Sequence, residues 1–585
     1  MRSRPRWSFG SPRLVRTAVA GLVGVLLVGC ATVPTSGPVE EHQFGDEPAN
    51  SSVRVAPVPP AKGASPMLIV EGFLHAMGTD QAGFAIARQY LTTAAARSWD
   101  PESRTTVYAD GTPPRETENS VVLSTPTLGS LNANGEFSQE TGRLSHDFGL
   151  VHDSNDQWRI SAPPDGLLIS RYDLTNNYSS VNLYFLDTTG TTLVPDPRYF
   201  PLNDATPLDV VRAQLDGPGW WLTPAVRPDV AEGIVADRVE PASAGVVSVQ
   251  LSSTALSLDS DERRILLAEL TWALTQLPEI TGIQVNAGST PLPLPGTPNT
   301  VLVRDYFSRI APVDPQAAGR LFAFQSGQVR DVRDLTSWSQ SSATAPAITQ
   351  ASALAVRADL LQFAAVSEDG TRLVTATADG SAATTLLEGT TLQRPAYSRQ
   401  QELWALEAGA DASAFHVFED LANNPVDFAT DAMPSDPVIA FRISPDGTRM
   451  ALVLRAADTD TDQLGIARIV RDGDGVRLQS FRPIPITAVP EAGVRLLDVG
   501  WNTATQLLVL VSHHDTERTT SVVRVDQDAS TSDEIGPNQV SGLTELAVIP
   551  QQQPVVRNAT NVYRSEGDFN WKSTAGEVTA LAYAG

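Results

Sequence analysis

The residue with the clearest chemical assignment is Cys30, the single cysteine among 585 residues. It follows Leu27-Val28-Gly29 at the end of an apolar run from Ala18 to Val28, and that run is preceded by Arg2, Arg4, Arg6, Arg13 and Arg16 with no acidic residue. A basic start, a short apolar run and a small residue before the cut make a secretory signal peptide over residues 1–29. The run is too short for a comfortable membrane span of about 20 residues. Cleavage turns Cys30 into the mature N-terminus, where its thiol accepts S-diacylglycerol and its amine an N-acyl (palmitate) group. With one cysteine, no disulfide can form within the chain.

Other clusters suggest chemistry but are incomplete. Asp458-Thr459-Asp460-Thr461-Asp462 puts carboxylates at the first, third and fifth positions of a calcium loop, yet Gln463 and Ile469 stand where that loop needs glycine and a bidentate glutamate. An acidic hairpin loop fits better. His513-His514 is the only pair among seven histidines, and in a strand adjacent side chains point to opposite faces. There is no His-Glu-x-x-His, no Gly-x-Ser-x-Gly and no phosphate loop. We therefore expect no catalytic residue, no metal ligand set and no cofactor. Trp220-Trp221, after Gly217-Pro218-Gly219, could place one indole in the core and leave the other exposed as a contact.

The elements that must position these groups read as three folded parts behind a tether. Residues 30–65 hold the lipid anchor and a linker containing Pro34, Pro38, Pro48, Pro57, Pro59 and Pro60; fully extended at roughly 3.1 Å per residue, it reaches up to about 100 Å. The whole chain carries a formal −25, and the five leader arginines are lost on cleavage. So acidic a body repels nucleic acid and anionic head groups, leaving the acyl chains as its hold on the membrane.

Residues 66–175 read as a small α+β domain: a helix opening at Ser65-Pro66, a second from about Asp80 to Thr92, then short strands at 105–109, 120–124, 143–151 and 157–161, with an exit at Pro163-Pro164-Asp165-Gly166. Residues 180–300 read as a βαββαβ unit, with strands at 181–186, 234–239, 247–251 and 280–286 and helices from Thr206-Pro207 and from Asp259. Both helices are expected on one face of a single sheet.

From residue 305 to 585 the pattern is all-β. Ser367-Glu368-Asp369-Gly370-Thr371-Arg372 returns as Ser444-Pro445-Asp446-Gly447-Thr448-Arg449, with Tyr397–Trp404 between them in the same strand, turn and strand rhythm without the glycine. Taking half the distance as the period gives about 40 residues, one propeller blade, and six or seven blades in all. The fold class is thus multidomain: two small α+β domains followed by an all-β propeller.

Cys30-Ala31-Thr32-Val33-Pro34-Thr35-Ser36-Gly37-Pro38-Val39, Glu71-Gly72-Phe73-Leu74-His75-Ala76-Met77 and Ser98-Trp99-Asp100-Pro101 resemble the LpqB lipoproteins of actinobacteria. Leu183-Tyr184-Phe185, Leu193-Val194-Pro195, Leu215-Asp216-Gly217-Pro218 and Thr271-Trp272-Ala273-Leu274 are similar to the GerMN module. The resemblance implies a lipoprotein on the extracytoplasmic face of the cell membrane that binds and modulates the extracytoplasmic domain of a two-component sensor histidine kinase of the MtrB type, influencing envelope homeostasis and division. It implies no catalytic residue and carries over Cys30 alone. The competing readings are a passive envelope scaffold and an extracytoplasmic propeller enzyme.

Cys30→Ser removes the thioether acceptor. The variant is expected to stay uncleaved or to leave the membrane, as read by fractionation and mature mass; normal processing with detergent-only extraction would overturn the anchor.

Overall fold

Helices open where side chains can answer the free amides of their first turn. In the computed structural model, helix α1 (Pro66–Gly78) begins behind Ser65, whose hydroxyl accepts from Leu68 N, and buries Ile69, Val70, Phe73 and Met77. The structure describes residues 56–585 except 80–81, 118–119, 228–231, 298–299, 314–318, 333–342, 381, 410–412, 421–423, 426–427, 432, 456–460, 473–474, 490–493 and 515–518. Cys30, the leader and most of the linker lie outside the described residues. No described helix is long and apolar enough to cross a membrane.

The second helix expected at 80–92 is instead two short 3-10 turns, Ala82–Phe84 and Ala87–Tyr90. Gly83 and Phe84 adopt positive φ, +67° and +54°, which interrupts the helical ladder. Helix α2 (Thr93–Ser98) then starts behind Thr92, and Arg88 donates to the carbonyls of Ala96 and Trp99 near its end. The sheet beside these helices runs 115–116, 121–131, 105–108, 167–170, with 137–147 also paired to 121–131. The exit turn expected at 163–166 leads straight into further structure: strand Leu167–Ser170, parallel to Thr105–Tyr108, and helix α3 (Arg171–Asn177). A reciprocal capping box between Ser170 and Asp173 opens α3.

In the central unit, helices α4 (Thr206–Leu215) and α5 (Ser260–Leu274) form as expected, the latter behind an Asp259–Glu262 capping box. The expected single sheet is corrected. Strands 236–243, 246–251, 282–287 and 290–291 make one sheet, whereas Tyr178–Leu186 pairs only with an unforeseen strand, Leu193–Pro201. The other edge of Tyr178–Leu186 is met by helix and helix-end side chains. Gln214 accepts from Tyr184 N at 3.0 Å and donates to Tyr184 O at 2.8 Å; Gln276 does the same at Asn182, at 3.1 and 2.7 Å; Glu269 accepts from Leu186 N. A buried strand edge needs partners, and here carboxamides replace a neighbouring strand.

Six sheets come next among the described residues, each of four strands or five. Their innermost strands are Ala580–Tyr583, Ala353–Val356, Ala396–Tyr397, Val438–Ile443, Val494–Trp501 and Glu545–Ala547, taken here as blades 1 to 6. Each inner strand touches the next, and the sixth returns to the first, so the ring closes. Blade 1 joins Ala580–Tyr583 to Leu321–Gln325, stitching the last strand of the chain to the first of the propeller.

The repeat that suggested the period does not relate equivalent positions. Ser444–Arg449 joins the first and second strands of blade 4, whereas Ser367–Arg372 joins the second and third strands of blade 2, at the opposite end of the strands. Both turns use the same chemistry. Asp369 and Asp446 accept from the amides of Thr371 and Thr448, Ser367 and Ser444 accept from the amides of Arg372 and Arg449, and Gly370 and Gly447 take φ near +72° and +79°. The hydroxyls of Ser367 and Thr371, with the Thr371 amide, hold Asp369 down at about 2. The motif reports a tight hairpin, wherever in the blade it falls.

Gln214→Leu leaves the Tyr184 amide and carbonyl buried without partners, and we expect a loss of about 2–4 kcal/mol in urea denaturation. Gln214→Glu keeps the acceptor but buries a carboxylate against the Tyr184 carbonyl, and should cost at least as much at pH 7, with the loss easing as pH falls.

Candidate functional site: the propeller mouth and the hairpin seated on it

Four side chains, Trp221, Tyr199, Arg399 and Arg449, seat the central unit on the propeller end that carries the first-to-second-strand turns. Trp221, in the turn after α4, is 5% exposed and joins a propeller cluster with Val453, Leu464, Ile466 and Val509. Its indole N–H donates to Ser480 O at 2.9 Å, its carbonyl accepts from Arg468 at 2.7 Å, and the Arg482 guanidinium lies 4.9 Å from the ring centroid. Trp220 beside it is 74% exposed. The buried indole therefore belongs to the neighbouring module's core, which a reading of its own segment could not reveal.

Around the hairpin of strands Tyr178–Leu186 and Leu193–Pro201, Tyr199 shares a 2.6 Å hydrogen bond with Ser530 and donates to Asp528 at 3.1 Å. Arg399 donates to Thr192 Oγ1 at 2.8 Å. Arg449, 1% exposed, pairs with Asp446 and donates to Gln527 Oε1 at 2.7 Å and to Pro195 O at 3.2 Å, with its guanidinium carbon 5.6 Å from the Trp501 ring. Burial pushes the Asp446 carboxyl up, but Arg449 and the Thr448 hydroxyl and amide outweigh it and hold it below the ordinary range. Asp526 is raised, by burial first and by neighbouring Asp528 second.

Inside the ring, four charged side chains from four inner-strand segments meet. Asp498 accepts from Arg394 at 3.3 Å, from Arg442 at 3.0 Å and from the amides of Val499 and Leu546; Glu545 accepts from Arg557 and from Leu581 N. Arg394 also donates to the carbonyls of Leu546 and Leu581. Burial, with the like charge of Arg394, lowers Arg442 to about 10 despite Asp498 and Glu545. The carboxylate oxygens are occupied by arginines and amides, an arrangement that ties inner strands together and leaves arginine edges facing the central cavity.

The other residues singled out by sequence lie apart. Asp462, the fifth position of the acidic loop, is not solvated: its side chain is fully buried and accepts from Arg455 at 3.1 Å, Arg495 at 3.0 Å and Leu496 N at 2.9 Å. Asp458 and Asp460 lie outside the described residues, as does Cys30. His513 shares a 3.0 Å hydrogen bond with Ser521 and lies 3.6 Å from Glu534. Among the described residues no three His, Cys, Asp or Glu converge as a metal site.

Arg449→Met strands Asp446 as a buried, unpaired carboxylate, and an expected cost of about 3–5 kcal/mol at pH 7 should appear in urea titrations. A folded-state pKa below the ordinary value gives stability that is present above the usual carboxylate range and lost as pH falls through the folded value. In the variant the sign reverses, because protonating the stranded acid relieves it. The gap between the two proteins should therefore narrow as pH falls from 7 toward about 4 and below; a constant gap would refute the ion-pair account.

Three family models match the chain: the LpqB N-terminal domain at residues 59–175, the sporulation and spore germination module at 182–293, and the LpqB β-propeller domain at 319–581. Lipoprotein LpqB of Cutibacterium acnes is 29% identical, with 97% of this chain and 98% of that protein covered. Lipoprotein LpqB of Thermobifida fusca is 28% identical, with 85% and 87% covered. Among solved structures, the tandem GerMN domains of GerM from Bacillus subtilis align with a TM-score of 0.19 and 16% identity, over 27% of this chain and 64% of that one. With the LpqB N-terminal and β-propeller models both matched, and an alignment to lipoprotein LpqB along nearly its whole length, the chain belongs to the LpqB lipoprotein family.

Proposed function

We propose that the protein is held by acyl groups on Cys30 at the extracytoplasmic face of the cell membrane, and that its folded body binds and modulates the extracytoplasmic domain of a two-component sensor kinase of the MtrB type. Membership of a named lipoprotein family, joined to the leader that ends at Cys30, carries the anchored, exported part of this reading. Binding rather than catalysis is favoured by the occupied oxygens of Asp498 and Glu545, the acids that converge inside the ring. An anchor confines both partners to one thin layer, so a modest intrinsic affinity suffices.

The α+β half, residues 66–300, is the favoured contact region, with the propeller modulating it. Trp220 is its best single anchor: a large side chain, 74% exposed, on a turn held rigid by its buried neighbour. Separating the halves would bare Trp221 and the cluster it enters, so the test uses the intact lipoprotein. Trp220→Ala should keep the melting temperature and weaken crosslinked capture of the kinase at least tenfold, with a matching change in phosphorylation of its response regulator. If the intact parent neither captures the kinase nor alters that phosphorylation, the regulatory reading fails and a passive scaffold replaces it.

A further inference from the structure

A cavity of about 540 Å³ opens where the inner strands of the ring end beneath the central unit, with Thr191 of the hairpin and Val313 at its rim. Its charge is at odds with the chain that builds it. The protein has 67 acidic residues against 42 basic ones, yet the side chains of the wall include Arg394, Arg399 and Arg442 and no aspartate or glutamate, the terminal residue Gly585 also lining it. The rest of the wall combines apolar residues, among them Val356, Ile443, Ile549 and Trp501, with Ser398, Gln400 and Ser444.

The three arginines are not equally committed. Arg394 is spent on Asp498 and two carbonyls. Arg442 gives one bond to Phe441 O and shares another between the oxygens of Asp498, so N–H groups remain unused. Arg399 is exposed, gives only its Nε–H, to Thr192, and makes no ion pair with a described residue. Tyr397, 4% exposed, also lines the cavity.

We propose that this funnel binds a small organic anion: a carboxylate or phosphate head set between Arg399 and Arg442, with an apolar body against the inner-strand ends. The volume lies within the usual range for small-molecule sites, about 300–1,000 Å³. Guanidinium edges in a partly desolvated wall suit either head, since both accept paired N–H groups. Because Arg399 also holds Thr192, next to Thr191 at the rim, occupancy and the seating of the hairpin share one side chain. This site stands independently of the kinase reading.

The test is calorimetric titration of the intact chain with octanoate, octyl phosphate, octan-1-ol and octyltrimethylammonium, each below its micelle concentration. At least one anion should bind with sub-millimolar Kd, and the alcohol and the cation at least tenfold more weakly; the better of the two anions identifies the head group. Arg399→Glu, which also gives up the Thr192 contact, should weaken the anion at least tenfold in a chain that circular dichroism and cooperative unfolding show to be folded. Arg442→Lys keeps a charge beside Asp498 but loses the fork, and should also raise Kd. Failure of both anions at millimolar concentration overturns the proposal. So does equal binding of all four probes, or an unchanged Kd in Arg399→Glu.

Discussion

Taking an arginine out of water costs several kcal/mol unless its charge and its N–H groups are answered, and the seating of the modules turns on one such residue. Arg449 draws its answers from separate parts of the chain: Asp446 in its own turn, Gln527 in blade 5 and the Pro195 carbonyl in the central hairpin. Its Nε has no partner, and the face of Trp501 lies beside the group. Shifting the hairpin would remove one acceptor from a group that has none to spare. Trp221 and Tyr199 then work from a fixed position, and Thr191 comes to the rim of the funnel.

The same rule operates within the central unit. Strand Tyr178–Leu186 meets Gln214, Gln276 and Glu269 where an ordinary sheet would place another strand. Side chains can do this only if their helices are held in register with the strand, which the Asp259–Glu262 box and the buried leucines of α5 provide. Asp462 is a third case, a buried carboxylate closed by two arginines and an amide. Buried polar groups in this protein are satisfied across element boundaries, so they fix relative positions as well as local shape.

Features set by local chemistry were readable in the sequence: the Ser65-Pro66 start, the Asp259 box, the stop at Gly217-Pro218 and the all-β end. Helix α3 was readable too, since Ser170 and Asp173 stand at capping-box spacing, but the preceding prolines suggested only a turn. Strand Leu193–Pro201 was hidden by Pro195, Pro197 and Pro201. Pro195 and Pro197 are two apart and so share one edge; Pro195 faces Tyr184 and Pro197 faces Asn182, residues whose own backbone groups turn away toward Gln214 and Gln276. The funnel was illegible for a different reason. Arg394, Arg442, Asp498 and Glu545 come from different blades, and no local spacing relates them; the repeated Asp-Gly turn even misled, because it serves both ends of a blade.

The stitch between Ala580–Tyr583 and Leu321–Gln325 orders events in time. A chain exported from its N-terminus delivers the closing strand last, more than two hundred residues after the strand it must pair with. Until then Leu321–Gln325 presents an unpaired, largely apolar edge, the kind of surface that recruits other chains. Pairings so distant in sequence are slow to form. The ring is therefore closed by the strand made last, and the propeller has no complete core until the whole of it is present.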